Sequence, residues 1–133
     1  MLTIVDIITA SGRYPERLKS LDLTDDVIRN IHKLLAAVNA ILKDLGMSRK
    51  VTSGFRPLAV NEEIPSAAKK SAHTEGLAAD IEDVDGQLKG KILSKPYLLS
   101  QYGLWMEDSA STPTWCHLDL KDRPERLIRV FKP

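Results

Sequence analysis

The stretch TDDVIRNIHKLLAAVNAILKDLG, Thr24 to Gly46, decides how the rest of the chain is read. Val27, Ile28, Ile31, Leu34, Leu35, Val38, Ile41, Leu42 and Leu45 recur at helical spacing, which predicts an amphipathic helix of about six turns. Thr24 suits the N-cap, Asp25 and Asp26 suit the positive end of the dipole, and Gly46 stands where a left-handed residue closes a helix. Upstream, LTIVDIITA reads as a short helix and SGRYPERLKSLDL as a connector punctuated by Gly12 and Pro15.

Downstream the periodicity changes. KVTSGF predicts a short strand, RPLAVNEEIPSAAKKS a loop with one helical turn, and GLAADIEDV a second strand. DGQLKGKILSKPYLLSQYG is expected to be two short helical pieces broken by Gly90 and Pro96 and stopped at Gly103. LWME, the loop DSASTPT and WCHLDL form a hairpin signature, and Ile128 to Phe131 read as a last strand. Helices first and strands later predict an α+β fold, a small antiparallel sheet packed against the long N-terminal helix, with residues 1–133 as one domain.

Charge and composition exclude several classes. Nineteen basic residues against eighteen acidic ones leave a net charge of +1, without the positive surplus of a nucleic-acid or acidic-membrane binder. No apolar run approaches the roughly 20 residues needed to span a bilayer. MLTIVDIITAS carries Asp6 within its apolar run and no preceding basic residue, so it does not read as a signal peptide. Cys116, alone of its type, excludes an internal disulfide and fits synthesis in a reducing cytoplasm. A monomer without nucleic-acid or membrane partners is expected.

Chemistry concentrates around the histidines. His32 lies among charged and polar neighbours on the long helix and reads as solvated. In SAHTEGLAAD, Ser71 to Asp80, a turn at Gly76 would bring His73 and Asp80 toward one point. In WCHLDL, alternation sends Trp115, His117 and Asp119 to one face and Cys116, Leu118 and Leu120 to the other. Two imidazoles and a carboxylate suffice for a catalytic zinc, which keeps its fourth position open. Spacing alone equally allows a surface-loop His73, a turn residue Asp80 and an ordinary sheet histidine at His117.

Three linked motifs sharpen the choice. The pattern Ser, any, His, two any, Gly, any, Ala, any, Asp is met by Ser71, His73, Gly76, Ala78 and Asp80. Trp115 stands two residues before His117, and SGFRPLAVN supplies an SGxR segment followed by an asparagine. Over about Val51 to Leu120 the chain resembles the zinc D-alanyl-D-alanine carboxypeptidase and L-alanyl-D-glutamate endopeptidase family, peptidase M15, with its hedgehog-like fold and its phage and prophage members.

The resemblance implies one zinc ion held by His73, Asp80 and His117, and Arg56 as the group that holds the substrate's carbonyl or carboxylate. Amide hydrolysis also needs a general base. The family's better-known members carry a glutamate three residues before the last histidine, where this chain has Thr114. Glu107 is the candidate in its place, because hairpin pairing would set it near Trp115 and His117. Asp119 is the alternative base, or an acceptor that orients His117. Asp108, Glu82 and Asp83 are weaker candidates. Ser71, Trp105 and Trp115 are candidates for the substrate cleft, and either tryptophan can equally be core. Cys116 reads as a small buried apolar residue.

The implied activity is hydrolysis of an amide in the peptide stem or cross-link of peptidoglycan, reached from the cytoplasm by phage lysis or as a virion component. A zinc-containing peptidoglycan-binding module without turnover is the other expectation, which the missing glutamate at Thr114 permits.

Overall fold

The structure is a computed structural model that describes residues 1–10, 20–64, 71–126 and 128–133. The connector expected at Gly12 and Pro15 falls outside the described residues. The helix expected at Thr24 is a 20-residue helix, α2 (Asp25–Asp44), whose first turn is capped by Thr24 Oγ1 accepting from Val27 N at 3.2 Å. Its end is a Schellman motif: Gly46 takes φ +64°, its N–H donates to Lys43 O, and Met47 N donates to Leu42 O at 2.9 Å. Ile31, Leu34, Val38 and Ile41 on one face are nearly inaccessible to solvent, while His32 on the other is exposed. A short α1 (Ile4–Thr9) precedes α2 and buries Ile7 and Ile8 against the same core.

Among the described residues five strands form one sheet: β1 (Val51–Ser53), β2 (Ala78–Glu82), β3 (Trp105–Glu107), β4 (Trp115–Asp119) and β5 (Val130–Phe131), in spatial order β1-β2-β4-β3-β5. The first three pairings are antiparallel, but β5 runs parallel to β3, so the sheet is mixed rather than antiparallel throughout. β5 lies at the outer edge of β3 and points the same way, with Met106 N donating to Arg129 O and Asp108 N to Phe131 O, each at 2.8 Å. One face of the sheet buries Ala79, Ile81, Cys116, Leu118 and Met106 with α1 and α2.

The remaining helices are α3 (Leu58–Glu62), a 3₁₀ turn at Ala72–Glu75, α4 (Gln87–Ser94) and α5 (Tyr97–Gln101). Gly90 does not break α4, which runs through it; the break comes only at Lys95 and Pro96. A lone glycine costs a helix about 1 kcal/mol, too little to end one that Asp83 has anchored. That carboxylate is fully buried and accepts from Leu88 N at 2.8 Å and Lys89 N at 3.0 Å, a cap formed from beyond the glycine at the helix start. The buried Lys89 ammonium in turn donates to Thr112 O, tying the loop between β3 and β4 to α4. Asp83, weighed above as a candidate base, is therefore committed to structure. Among the described residues, no helix is long and apolar enough to cross a membrane.

Candidate metal centre

Register brings two of the expected ligands together. In the β2–β4 pair Asp80 lies directly opposite His117, a placement that holds their side chains side by side. His73 arrives from the 3₁₀ turn, which Ser71 starts by accepting from His73 N at 3.2 Å. Gly76 ends that turn at φ +73°, and a Cβ there would lie 2.8 Å from Val27 O and 2.9 Å from Ile31 Cγ1, so α2 packs directly on the glycine. One ligand atom from each of His73, Asp80 and His117 lies within 4.8 Å of the others.

Each imidazole has one nitrogen engaged behind it and the other turned to the common point. His73 Nδ1 donates to Gly54 O at 2.8 Å, leaving Nε2 at 3.4 Å from Asp80 Oδ1. His117 Nε2 donates to Asp119 Oδ2 at 2.8 Å, leaving Nδ1 at 2.8 Å from Asp80 Oδ1. Histidines that bind metals are oriented in this way by carbonyl or carboxylate acceptors. Gly54 can serve because α1 sits on it: Phe55 N donates to Ile7 O at 2.8 Å, and a Cβ on Gly54 would fall 2.2 Å from that oxygen. Arg56 N then donates to His73 O at 3.0 Å, lacing the SGFR segment to the turn in both directions.

The charges favour a cation at the convergence. Burial opposes ionisation of Asp80, yet His73 and His117 hold its carboxyl well below the usual range. Burial also disfavours an imidazolium at His117, but the hydrogen bonds that it donates to Asp119 and Asp80 outweigh it and push His117 up to about 10. An imidazole set between two carboxylates suits a metal cation, which takes the proton's place on the ligand nitrogen. Two nitrogens and one carboxylate oxygen, with an open side toward a cleft, fit zinc with a position left for water or substrate.

The cleft above the ligands encloses about 820 Å³ and is lined by Arg56, Ser71, Glu107, Trp115, Asp119, Lys121, Arg126 and Lys132 among others. Glu107 reaches it from the end of β3, its Oε1 4.0 Å from His117 Nε2. Burial raises the Glu107 carboxyl above its ordinary value, opposed by His117 and His73 and assisted by Asp80 and Asp119. Arg56 also lines the cleft, half-buried, with Nη1 donating to Asn61 Oδ1 at 3.0 Å, and Asn61 is itself buried on α3. Burial lowers the Arg56 pKa and the charge of Asp80 raises it.

Among the other expected residues, Asp119 is wholly buried and holds both His117 and Arg123, the second through Oδ1 at 2.7 Å and Oδ2 at 3.1 Å. His117 and Arg123 keep its carboxyl low despite burial. Trp115 is half-buried on the cleft wall, whereas Trp105 is 4% exposed and belongs to the core, with Arg129 Cζ 4.6 Å above its ring. Glu82 pairs with Lys50 at 3.9 Å, and Asp108 accepts from Ser111 N within its own loop. Cys116 is fully buried on the core face, where burial pushes its thiol far up. Three contributors were not anticipated: the Gly54 carbonyl, Asn61 as the partner of Arg56, and Arg123 behind Asp119. The SGFR and asparagine spacing pointed toward the first two, and nothing local in the sequence marks the third.

A family model described as Peptidase M15 matches residues 14–108, a span that contains Arg56, His73, Asp80 and Glu107 and ends before His117. No curated protein and no solved structure matches the chain. The M15 family is zinc-dependent, and the His73, Asp80 and His117 cluster is a site of the matching kind. With well over half its length matched, the chain belongs to the peptidase M15 family of metallopeptidases.

Proposed function

We propose that this protein is a zinc peptidase that hydrolyses an amide bond in the peptide stem or cross-link of bacterial peptidoglycan. In this reading it is a single-domain monomer of the hedgehog-like type, encoded by a phage or prophage and brought to the wall by lysis or within a virion. The observation that carries the proposal is the convergence of His73 Nε2, Asp80 Oδ1 and His117 Nδ1 on the floor of a cleft flanked by Glu107 and Arg56. His73, Asp80 and His117 would hold the zinc, which supplies Lewis acidity toward a carbonyl oxygen and brings the pKa of water to about 7.

The protein's own groups do the rest. Glu107, raised by burial and facing the cleft, takes the proton from the attacking water at Oε1 and returns it to the leaving amine. Arg56 presents a permanently charged fork to the carbonyl oxygen as it gains charge, or to a neighbouring carboxylate. Asn61 holds that fork in place. Trp115 excludes water from one side. Lys121, Arg126 and Lys132 along the cleft favour a peptide bearing carboxylates, as peptidoglycan stems do.

The test is to incubate zinc-loaded protein with purified peptidoglycan, with and without a chelator, and to identify released peptides by mass spectrometry. Chelator-sensitive release of one defined fragment is expected, and its mass assigns the bond. No release from several wall types by protein shown to contain zinc would overturn the peptidase reading in favour of a binding module.

A further inference from the structure

Arg123 lies beyond the family match and outside every motif, yet its guanidinium is held on several sides at the edge of the cleft. Its guanidinium grips Asp119 with two hydrogen bonds, Nη1 to Oδ1 at 2.7 Å and Nη2 to Oδ2 at 3.1 Å, and Nη1 also donates to Lys121 O at 3.1 Å. Phe131 of β5 lies across its face, 3.8 Å from Cζ to the ring centroid, and Trp105 of β3 lies at 5.4 Å. The arginine is thus fixed by a carboxylate on one side and by aromatic faces on the other.

The carboxylate it grips is the one that orients a metal ligand. Asp119 Oδ2 accepts from His117 Nε2 while its Oδ1 accepts from Lys121 N at 3.0 Å. These two contacts hold one oxygen each, and the terminal torsion of an aspartate is soft, so how firmly the carboxylate plane is set depends on what else grips both oxygens. The planar fork of Arg123 adds a charge-assisted bond to each oxygen in one plane and so stiffens that torsion, which the single point charge of an ammonium would not do. We propose that Arg123 is a positioning residue of the metal centre: acting through Asp119 it fixes the ring of His117, so that the C-terminal strand carrying Phe131 supports the centre as well as the sheet. This inference rests on the reading of His73, Asp80 and His117 as a metal site, and does not depend on which bond is cut.

The test compares wild type with Arg123→Ala, Arg123→Lys, Asp119→Asn and the Arg123→Ala/Asp119→Asn double variant. Zinc affinity is measured by competition with a chromophoric chelator, and the visible spectrum of the cobalt-substituted protein reports ligand geometry. Arg123→Ala is expected to weaken zinc binding about tenfold and to alter the cobalt bands, as losses behind a metal ligand do. Arg123→Lys should not restore the spectrum, and Arg123→Ala should cost little further affinity once Asp119 is Asn. Should Arg123→Ala fail to fold, Arg123→Lys and Phe131→Leu carry the same two readouts.

Unchanged affinity and spectrum in a folded variant would overturn the proposal, as would an equal loss in both Asp119 backgrounds or full rescue by lysine. Wild-type protein that takes up neither zinc nor cobalt would overturn both this inference and the peptidase reading. Metal binding that depends on Arg123 in a protein that cleaves no peptide would support the inference and remove the peptidase reading alone.

Discussion

Glu107 and Asp80 are both carboxylates at the cleft, and their surroundings assign them opposite tasks. Asp80 lies between two imidazoles and is held ionised, as a ligand must be. Among the described residues Glu107 has no such close partner, with His117 at 4.0 Å, and half-burial makes it more basic. Replacing Asp80 by Asn should therefore remove the bound zinc, read as less than one equivalent by metal analysis after dialysis. Glu107→Gln should retain one equivalent and a normal fold while hydrolysis falls by about 10²–10⁴-fold. If Glu107→Gln hydrolysed peptidoglycan at the wild-type rate, the base would lie elsewhere in the cleft.

Two glycines separate, at the level of elements, what a turn requires from what a helix tolerates. Gly76 ends the 3₁₀ turn at positive φ under α2, with Val27 O where a Cβ would go. Gly76→Ala should cost about 1–2 kcal/mol for the left-handed conformation, with about 1–3 kcal/mol more from overpacking. Gly90 sits inside α4 with nothing within 4 Å of a Cβ, so Gly90→Ala should stabilise by about 0.5–1 kcal/mol. Urea denaturation of the two variants checks both signs in one experiment. A stabilising Gly76→Ala would mean that α2 does not press on the turn that carries His73.

For the molecule as a whole, the metal is expected to act as a stabilising ligand. Its three ligands come from two strands and a turn that also meet in the core, and folding is what gathers them. Zinc present at about 1,000 times its dissociation constant should add about 4.1 kcal/mol to the unfolding free energy. For a chain of this size that is on the order of 10 °C in Tm. Calorimetry before and after chelation should show the shift, and readdition of zinc should restore it. Equal melting temperatures in zinc-loaded and stripped protein would count against the site.

What the sequence determined by itself was set by local periodicity and near spacing, although the break read at Gly90 from the same local signals does not occur. The face of α2, its cap at Thr24 and its stop at Gly46 follow from residues within a few positions of one another, and so does the turn around Gly76. The His73 and Asp80 pair was singled out by the linked motifs rather than by spacing alone, and the alternation of WCHLDL turned His117 from the core and Cys116 into it. Tertiary structure alone decided what depends on contacts between distant segments. The parallel docking of β5 on β3, the burial of Asp83 as a helix cap, and the sealing of Trp105 under Arg129 have no local signature. Nor does the arrangement behind the ligands, in which Gly54 O holds His73 across 19 positions and Arg123 and Phe131 close on Asp119. Hydrogen bonds and aromatic contacts of that kind exist only once the sheet has assembled, because no short-range propensity selects their partners.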